Sequence, residues 1–426
     1  MTIASIISAI GNNNSVYPLI VRDCGIEVPT KIALTYAQNK KESKGIAYLA
    51  ARERFLDEYS VSAVWLGGIP LVGKVCDTLI KNRGFSPSVN LKLFKEEDGI
   101  QGIDYNIKKF SNIASDAVKD LVKVKQNKKL YEKLLASKFI LSTTIPILFM
   151  GYILPKLIFA SSARKIENLR KKEIQQKMNS QVSFLQKDRF FKNKNVNFTG
   201  NWIAKVANFS AQDKMAVTDG GYALGRIGTA RNKNEAYDIS FKMAGMMFLN
   251  FVAPKWIEKA LNKVTGVELD PVILADKDFI EQVKDKSIIN NLPKSANPKD
   301  LLEFVDDISN KDTLFIKFAK KFNKIKTFDN GVRDPRVYVD MKDLAKFRND
   351  ILSFIENSKN LSDNGFLSFV RKSKFAKSAN ILTNVVLSSF LLAYVLPKAQ
   401  FKFRKWITGS DLEPGLAPAE KIVDKK

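Results

Sequence analysis

The sequence predicts a mostly α-helical, internally duplicated architecture with two strong and two weaker apolar helices and little or no sheet. Two charge-free runs, residues 139–155 and 380–397, dominate the hydrophobic pattern. Elsewhere apolar residues recur at helical spacing, whereas only residues 336–341 alternate like a strand. Ordered motif matches relate the first part of the chain to the second.

The strong runs share a signature with a third, shorter run. It reads Leu-Phe-Met-Gly-Tyr-Ile-Leu-Pro-Lys at 148–156, Met-Phe-Leu-Asn-Phe-Val-Ala-Pro-Lys at 247–255 and Phe-Leu-Leu-Ala-Tyr-Val-Leu-Pro-Lys at 390–398. Each copy sets an aromatic residue ahead of a proline–lysine pair: Tyr152, Pro155 and Lys156; Phe251, Pro254 and Lys255; Tyr394, Pro397 and Lys398. Tyrosine and phenylalanine favour the head-group level of a bilayer. Proline removes a backbone donor and is expected to kink or stop the helix. Lysine can keep its stem in apolar surroundings while its ammonium reaches water. These nine residues are therefore candidate membrane-boundary positions.

A spanning helix needs about 17–25 residues, so both strong runs sit at the low end of that range. Residues 61–73 and 243–253 are weaker, cut short by Lys74 and Asp77 and by Lys242 and Lys255. Such lengths suit half-spanning, interfacial or buried helices. Gly67, Gly68 and Asn250 in these runs are candidate cavity residues, because interrupted apolar segments at matching places in a duplicated chain can line a transport site.

The duplication rests on four ordered matches. Val21-x-Asp23-x-Gly25 pairs with Val217-x-Asp219-x-Gly221, and Ala37 through Glu42 with Ala230 through Glu235. Leu79-Ile80-Lys81 with Gly84 pairs with Leu261-Asn262-Lys263 and Gly266, and the two signature runs close the units. The expected organisation is a short N-terminal helix or extension (1–17), copy 1 (18–165), a basic helical linker (166–213), copy 2 (214–405) and a disordered tail (406–426).

Within this frame, Ser115 is expected to open a helix through residue 137. Asn297-Pro298 is a helix-start pair. Amphipathic stripes at 314–322 and 341–355 are expected to pack inward. The run Ile3–Ile10 lacks the charged flank of a signal peptide.

Composition bounds the chemistry. Among 426 residues there are 69 Lys and Arg against 44 Asp and Glu, a formal charge of +25. That charge points to anionic partners, with membrane head groups favoured over nucleic acid because no nucleic-acid motif accompanies the basic-aromatic patches such as 190–194. Histidine is absent, which excludes His-dependent nucleophile systems, His metal sites and His pH switches. Cys24 and Cys76 are the only thiols and suit two reduced cysteines. The glycines between Gly220 and Gly228 lack the Walker lysine spacing and read as a turn or helix entry.

No catalytic residue, cofactor or metal site is expected. The expected role is that of a non-catalytic, membrane-associated structural or anchoring protein, with lipids as partners and a protein partner or self-association as a further option. The alternatives are a transporter-like or lipid-handling membrane protein with a pathway between copies, and a soluble helical interaction module.

Overall fold

The computed structural model describes residues 3–11, 19–41, 43–94, 100–176, 211–266, 268–285 and 288–416. Helix α1 (Ile3–Gly11) is followed by a π-helical stretch, Leu19–Glu27, that leads into α2 (Val28–Lys40). Ser43 accepts the Ile46 N–H and so caps α3 (Lys44–Ala63), satisfying an otherwise orphaned donor. α3 runs through the π-helical turn Val64–Gly68 into α4 (Ile69–Asn82) without a break. α5 (Ile103–Phe110) and α6 (Ser115–Gln126) precede α7 (Lys128–Leu148). α7 passes through the π-helical turn Phe149–Ile153 into α8 (Leu154–Gln176).

The second half begins with α9 (Ala211–Gly228). Asn232 caps α10 (Lys233–Phe251) by accepting the Glu235 N–H. α11 (Ala253–Thr265) ends at Gly266, whose φ of 65° is the left-handed stop that glycine adopts without strain. Short helices follow: α12 (Pro271–Leu274), α13 (Lys277–Lys284), α14 (Pro298–Asp306) and α15 (Leu314–Lys321). α16 (Met341–Ser358) precedes α17 (Asp363–Phe390), which crosses a last π-helical turn, Leu391–Val395, into α18 (Leu396–Thr408). The fold is mostly α. No strand occurs among the described residues, only an isolated bridge between Thr327 and Arg333.

Two bodies of different character emerge. One is a lobe formed by the stretches between α4 and α7 and between α11 and α17. Its main core gathers Phe279, Leu301, Phe315, Ala319, Leu344, Phe347 and Ile351, all almost fully buried, and the stripes expected at 314–322 and 341–355 supply much of it. A smaller core around Ile80, Leu93, Leu121 and Tyr131 lies in the first of the two stretches. The two are stapled together by polar contacts. Gln101 donates to the Val339 carbonyl at 2.8 Å and accepts the Val339 N–H at 2.9 Å. Arg333 donates to Asn106 at 2.7 Å and to Asp306 at 2.9 Å, and Tyr105 donates to Asp306 at 3.0 Å.

The other body is a bundle of the long helices. α3 packs on α8 and α4 on α7; in the second half α10 packs on α18 and α11 on α17. The cross-contacts are reciprocal. α9 lies against α7 and the Phe149–Ile153 turn, while Leu19–Glu27 and α2 lie against α17 and the Leu391–Val395 turn. The first helix of each half thus packs on the last long helix of the other.

Several local expectations change. Residues 336–341 are loop up to Asp340, which caps α16, so the strand candidate fails. The helix expected from Ser115 breaks at Asn127 and starts without a side-chain cap, whereas Asn297 does cap α14 by accepting the Lys299 N–H. Gly220 through Gly228 lie inside α9 and form no turn. Part of the tail expected to be disordered is packed: Ser410, Asp411, Leu412 and Leu416 are buried. Residues 177–210, Glu42 and 417–426 lie outside the described residues.

Candidate membrane region, its interior charges and the junction cleft

At Tyr152 and Tyr394 the signature does not end a helix. Proline has no N–H, and its ring collides with the carbonyl four residues back. The chain absorbs this by widening one turn: the Leu154 N–H donates to the Phe149 carbonyl and the Leu396 N–H to the Leu391 carbonyl, each five residues back. The Gly151 carbonyl, four residues before Pro155, accepts instead from the Thr229 hydroxyl at 3.3 Å. Both helices therefore continue, and the expected helix stop is corrected. The signature at Phe251 behaves differently. There α10 ends and α11 begins two residues later, with Pro254 in its first turn.

Burial follows one register in both continuous copies. Met150 and Leu392 are fully buried, Pro155 and Pro397 are buried, and Tyr152, Tyr394, Lys156 and Lys398 are exposed. The Lys156 ammonium lies 3.7 Å from the Tyr152 ring centroid, and Lys398 lies 5.6 Å from that of Tyr394. In the third copy Phe251 is half-buried, Pro254 is buried and Lys255 is exposed.

Among the described residues three helices are long and apolar enough to cross a membrane: Lys44–Asn82, Lys128–Lys165 and Asp363–Thr408. The first contains residues 61–73, which the sequence ranks as a weak run. Gly67, Gly68 and Pro70 were expected to interrupt it, and the π-helical turn carries the helix past them. Only 11%, 33% and 33% of their apolar windows are buried within the structure. Leu71, Val75 and Leu79, then Ile145, Leu148 and Ile153, then Val386, Phe390 and Val395 face outward.

The bundle interior is charged. Arg404, fully buried, donates to Asp238 at 2.9 Å and pairs with Glu413 at 2.9 Å, while Gln400 donates to Asp238 at 2.8 Å. Arg231 forks onto Glu53 at 3.0 Å and onto Glu235 at 2.8 Å, and Arg226 pairs with Asp57 at 3.1 Å. Lys242 and Arg54 both reach Glu58, at 2.8 and 3.1 Å, and Lys31 pairs with Glu27. The C-terminal segment closes over this network: Gln38 donates to Asp411 at 2.7 Å and Asn39 accepts the Glu413 N–H at 2.8 Å. A small cavity of about 40 Å³ lies among these groups. Each charge there has an opposite partner, the condition under which buried ions are tolerated. The residues come from α2, α3, α9, α10 and α18, so the network ties the two halves together.

A second and larger feature lies where bundle meets lobe. A cleft of about 980 Å³ is bounded by α1, α11, α16 and α17. Lys377 on α17 donates to Asn262 on α11 at 2.8 Å, and Asn384 donates to the Pro254 carbonyl at 3.3 Å. At its rim Ser8 donates to Asp270 at 2.8 Å, and Lys346 pairs with Glu268 at 2.7 Å. That bond holds the Glu268 carboxyl below the usual carboxylate range.

Of the candidate cavity residues, Asn250 approaches the cleft by accepting from Arg22 at 3.4 Å. Gly67 is exposed and Gly68 half-buried, and neither lines the cleft or the charged cavity. The glycines that matter are others. A Cβ on Gly225 would lie 2.8 Å from the Gly151 Cα, and one on Gly221 would collide with the Ile147 side chain. Gly221 and Gly225 are four apart on α9, the spacing that lets helix backbones approach closely. That spacing was visible in the sequence, as was the recurrence of Lys377, Asn380, Asn384 and Ser388 along one helical face. Among the described residues no group of three or more Cys, Asp or Glu is placed to hold a metal ion. No family model, curated protein or solved structure matches the chain.

Proposed function

We propose that the chain is an integral membrane protein without a catalytic role, which anchors the helical lobe at one face of a bilayer. The observation that carries this reading is the inversion of the bundle: its long apolar helices keep most of their apolar surface exposed while its interior is charged. In water an exposed apolar surface of this kind is a liability, and in lipid it is the favourable arrangement. Exposed Lys156, Lys398, Lys402 and Lys405 follow the apolar stretches and suit anionic head groups.

In this reading the bundle consists of two copies of one unit. Support comes from the shared order of elements, the caps Ser43 and Asn232, the left-handed glycines Gly84 and Gly266, and the reciprocal packing of first on last helix. The test is alkaline carbonate extraction of the expressed full chain. The protein should stay in the membrane pellet and need detergent for release. Recovery of monodisperse protein from the detergent-free supernatant would overturn the reading. A second reading, lipid handling, is favoured by the cleft, which opens where the apolar helices meet the polar lobe.

A further inference from the structure

The cleft face of α17 is polar where a spanning helix would ordinarily be apolar. Lys377, Asn380, Asn384 and Ser388 follow one another at helical spacing with Ile381 and Val385 beside them, and all six line the cleft. Phe375, Leu382, Val386 and Phe390 are exposed on the same helix. At about 1.5 Å per residue, Lys377 and Lys398 stand about 30 Å apart along the continuous helix. That is about the thickness of the hydrocarbon core, so the two lysines bracket it. Lys398 is exposed, as a boundary lysine should be. Lys377 is only 8% exposed and turns into the cleft.

An ammonium carries three donors. Lys377 uses one among the described residues, towards the neutral amide oxygen of Asn262. Most carboxylates around the cleft are engaged: Glu268 and Asp350 by Lys346, Asp343 by Lys324, Asp270 by Ser8. Glu258, one turn before Asn262 on α11, has no ion pair among the described residues and, after Glu268, acts on Lys377 through space. Beside the paired Arg22, Lys321, Lys324 and Lys346, the cleft therefore holds an inward ammonium, Lys377, and a carboxylate, Glu258, that have no ion pair among the described residues. An anion alone would meet Glu258, and a cation alone would meet Lys377. A head group carrying both a phosphate and an amine satisfies each.

We infer that the cleft binds a zwitterionic aminophospholipid, with its phosphate on Lys377 and Asn262, its amine on Glu258 and its acyl chains along Ile381 and Val385. This rests on the membrane reading and gives it a ligand class. The occupant is held at the seam between the two bodies, so head-group recognition couples the lobe to the bilayer.

The test is native mass spectrometry of the full chain in mild detergent, titrated with ethanolamine-headed and glycerol-headed phospholipids and with inorganic phosphate as competitor. The ethanolamine lipid should bind about tenfold or more tighter than the glycerol lipid, roughly 1.4 kcal/mol or more. Lys377→Met should lose that binding, Lys377→Arg should keep it, and Glu258→Gln, at an exposed position, should erase the head-group preference. Equal affinity for both lipids, unchanged binding in Lys377→Met, or displacement by millimolar phosphate would overturn the site. Protein that still requires detergent but shows no head-group preference sinks the lipid site alone. Protein that needs no detergent sinks the membrane reading beneath it.

Discussion

The lobe and the bundle are built by opposite rules from one chain. In the lobe, phenylalanines and leucines meet in a dry core: Phe279 stands edge-on to Phe318 at 5.0 Å, and Phe315 lies against Phe347 at 5.8 Å. Its lysines and aspartates are mostly outside, as in the exposed pair Lys284–Asp363. In the bundle, Arg404, Asp238, Asp57 and Glu53 are inside, and Leu71, Val386 and Phe390 are outside. Both are packed helical assemblies, so helix formation alone does not separate them. What separates them is where the apolar and charged side chains lie, inside and outside in the lobe but largely reversed in the bundle. Hydrophobic burial drives the lobe. On the membrane reading proposed above, lipid around the bundle is as apolar as leucine, so close packing and internal polar bonds hold its helices together.

The comparison breaks first at the charges, because each body contains a buried arginine but only one surrounds it with other ions. In the lobe, Arg333 and Asp306 are both nearly fully buried, and Arg333 also lies over the Phe110 ring at 5.0 Å. Asp306→Ala leaves that guanidinium without its carboxylate and should destabilise the lobe by about 3–5 kcal/mol. Hydrogen exchange of the full chain in detergent should show lost protection in α5 and α14, with α10 unchanged. Equal loss in α10 would mean that the two bodies unfold as one.

The next effect is expected at the surface, where the two rules make opposite demands. Val386 is 63% exposed and sits midway between Lys377 and Lys398. A lysine at the centre of a membrane helix costs about 2.5–3.5 kcal/mol, whereas surface changes in water stay within about 0.5 kcal/mol. Val386→Lys should therefore lower the membrane-pellet yield and the melting temperature in detergent. Ile308→Lys, on the exposed rim of the lobe, should leave both unchanged. If Val386→Lys is also silent, the apolar exterior does not face lipid.

The lobe was the more legible of the two in sequence. Amphipathic period and caps were enough for α15, α16 and the Asn297 start, because each residue there does what its local pattern implies. The bundle misled in two ways. Proline after an apolar run reads as a stop, yet at Pro70, Pro155 and Pro397 a π-helical turn absorbs it and the helix continues. No local pattern announces that choice, which depends on what the neighbouring helices offer, such as Thr229 to the Gly151 carbonyl. The ion network was equally hidden. Glu53, Arg54, Asp57 and Glu58 look like an ordinary solvated helix face, and their partners lie far along the chain. The sequence also ranked residues 61–73 below the other two apolar runs because Lys74 and Asp77 cut the run short, yet the helix carries on through both.

The smallest of the three effects concerns how closely the bundle helices approach. α9 crosses α7 and its π-helical turn at Gly225 over Gly151, and the atoms nearest a Gly225 Cβ are all backbone: Gly151 Cα at 2.8 Å, its carbonyl carbon at 3.0 Å and its oxygen at 3.1 Å. Backbone cannot step aside as a flexible side chain would, so Gly225→Ala must part the two helices. Overpacking of this kind costs about 1–3 kcal/mol. Gly220, five residues earlier on α9, has open space around its Cβ position. Gly220→Ala should accordingly stabilise α9 by about 0.5–1 kcal/mol through helix propensity alone. The two substitutions add the same methyl group to the same helix, so their melting temperatures in detergent should move in opposite directions. A parallel shift would mean that propensity rather than the crossing governs α9, and the close contact between the first helix of one half and the last long helix of the other would not hold the bundle together.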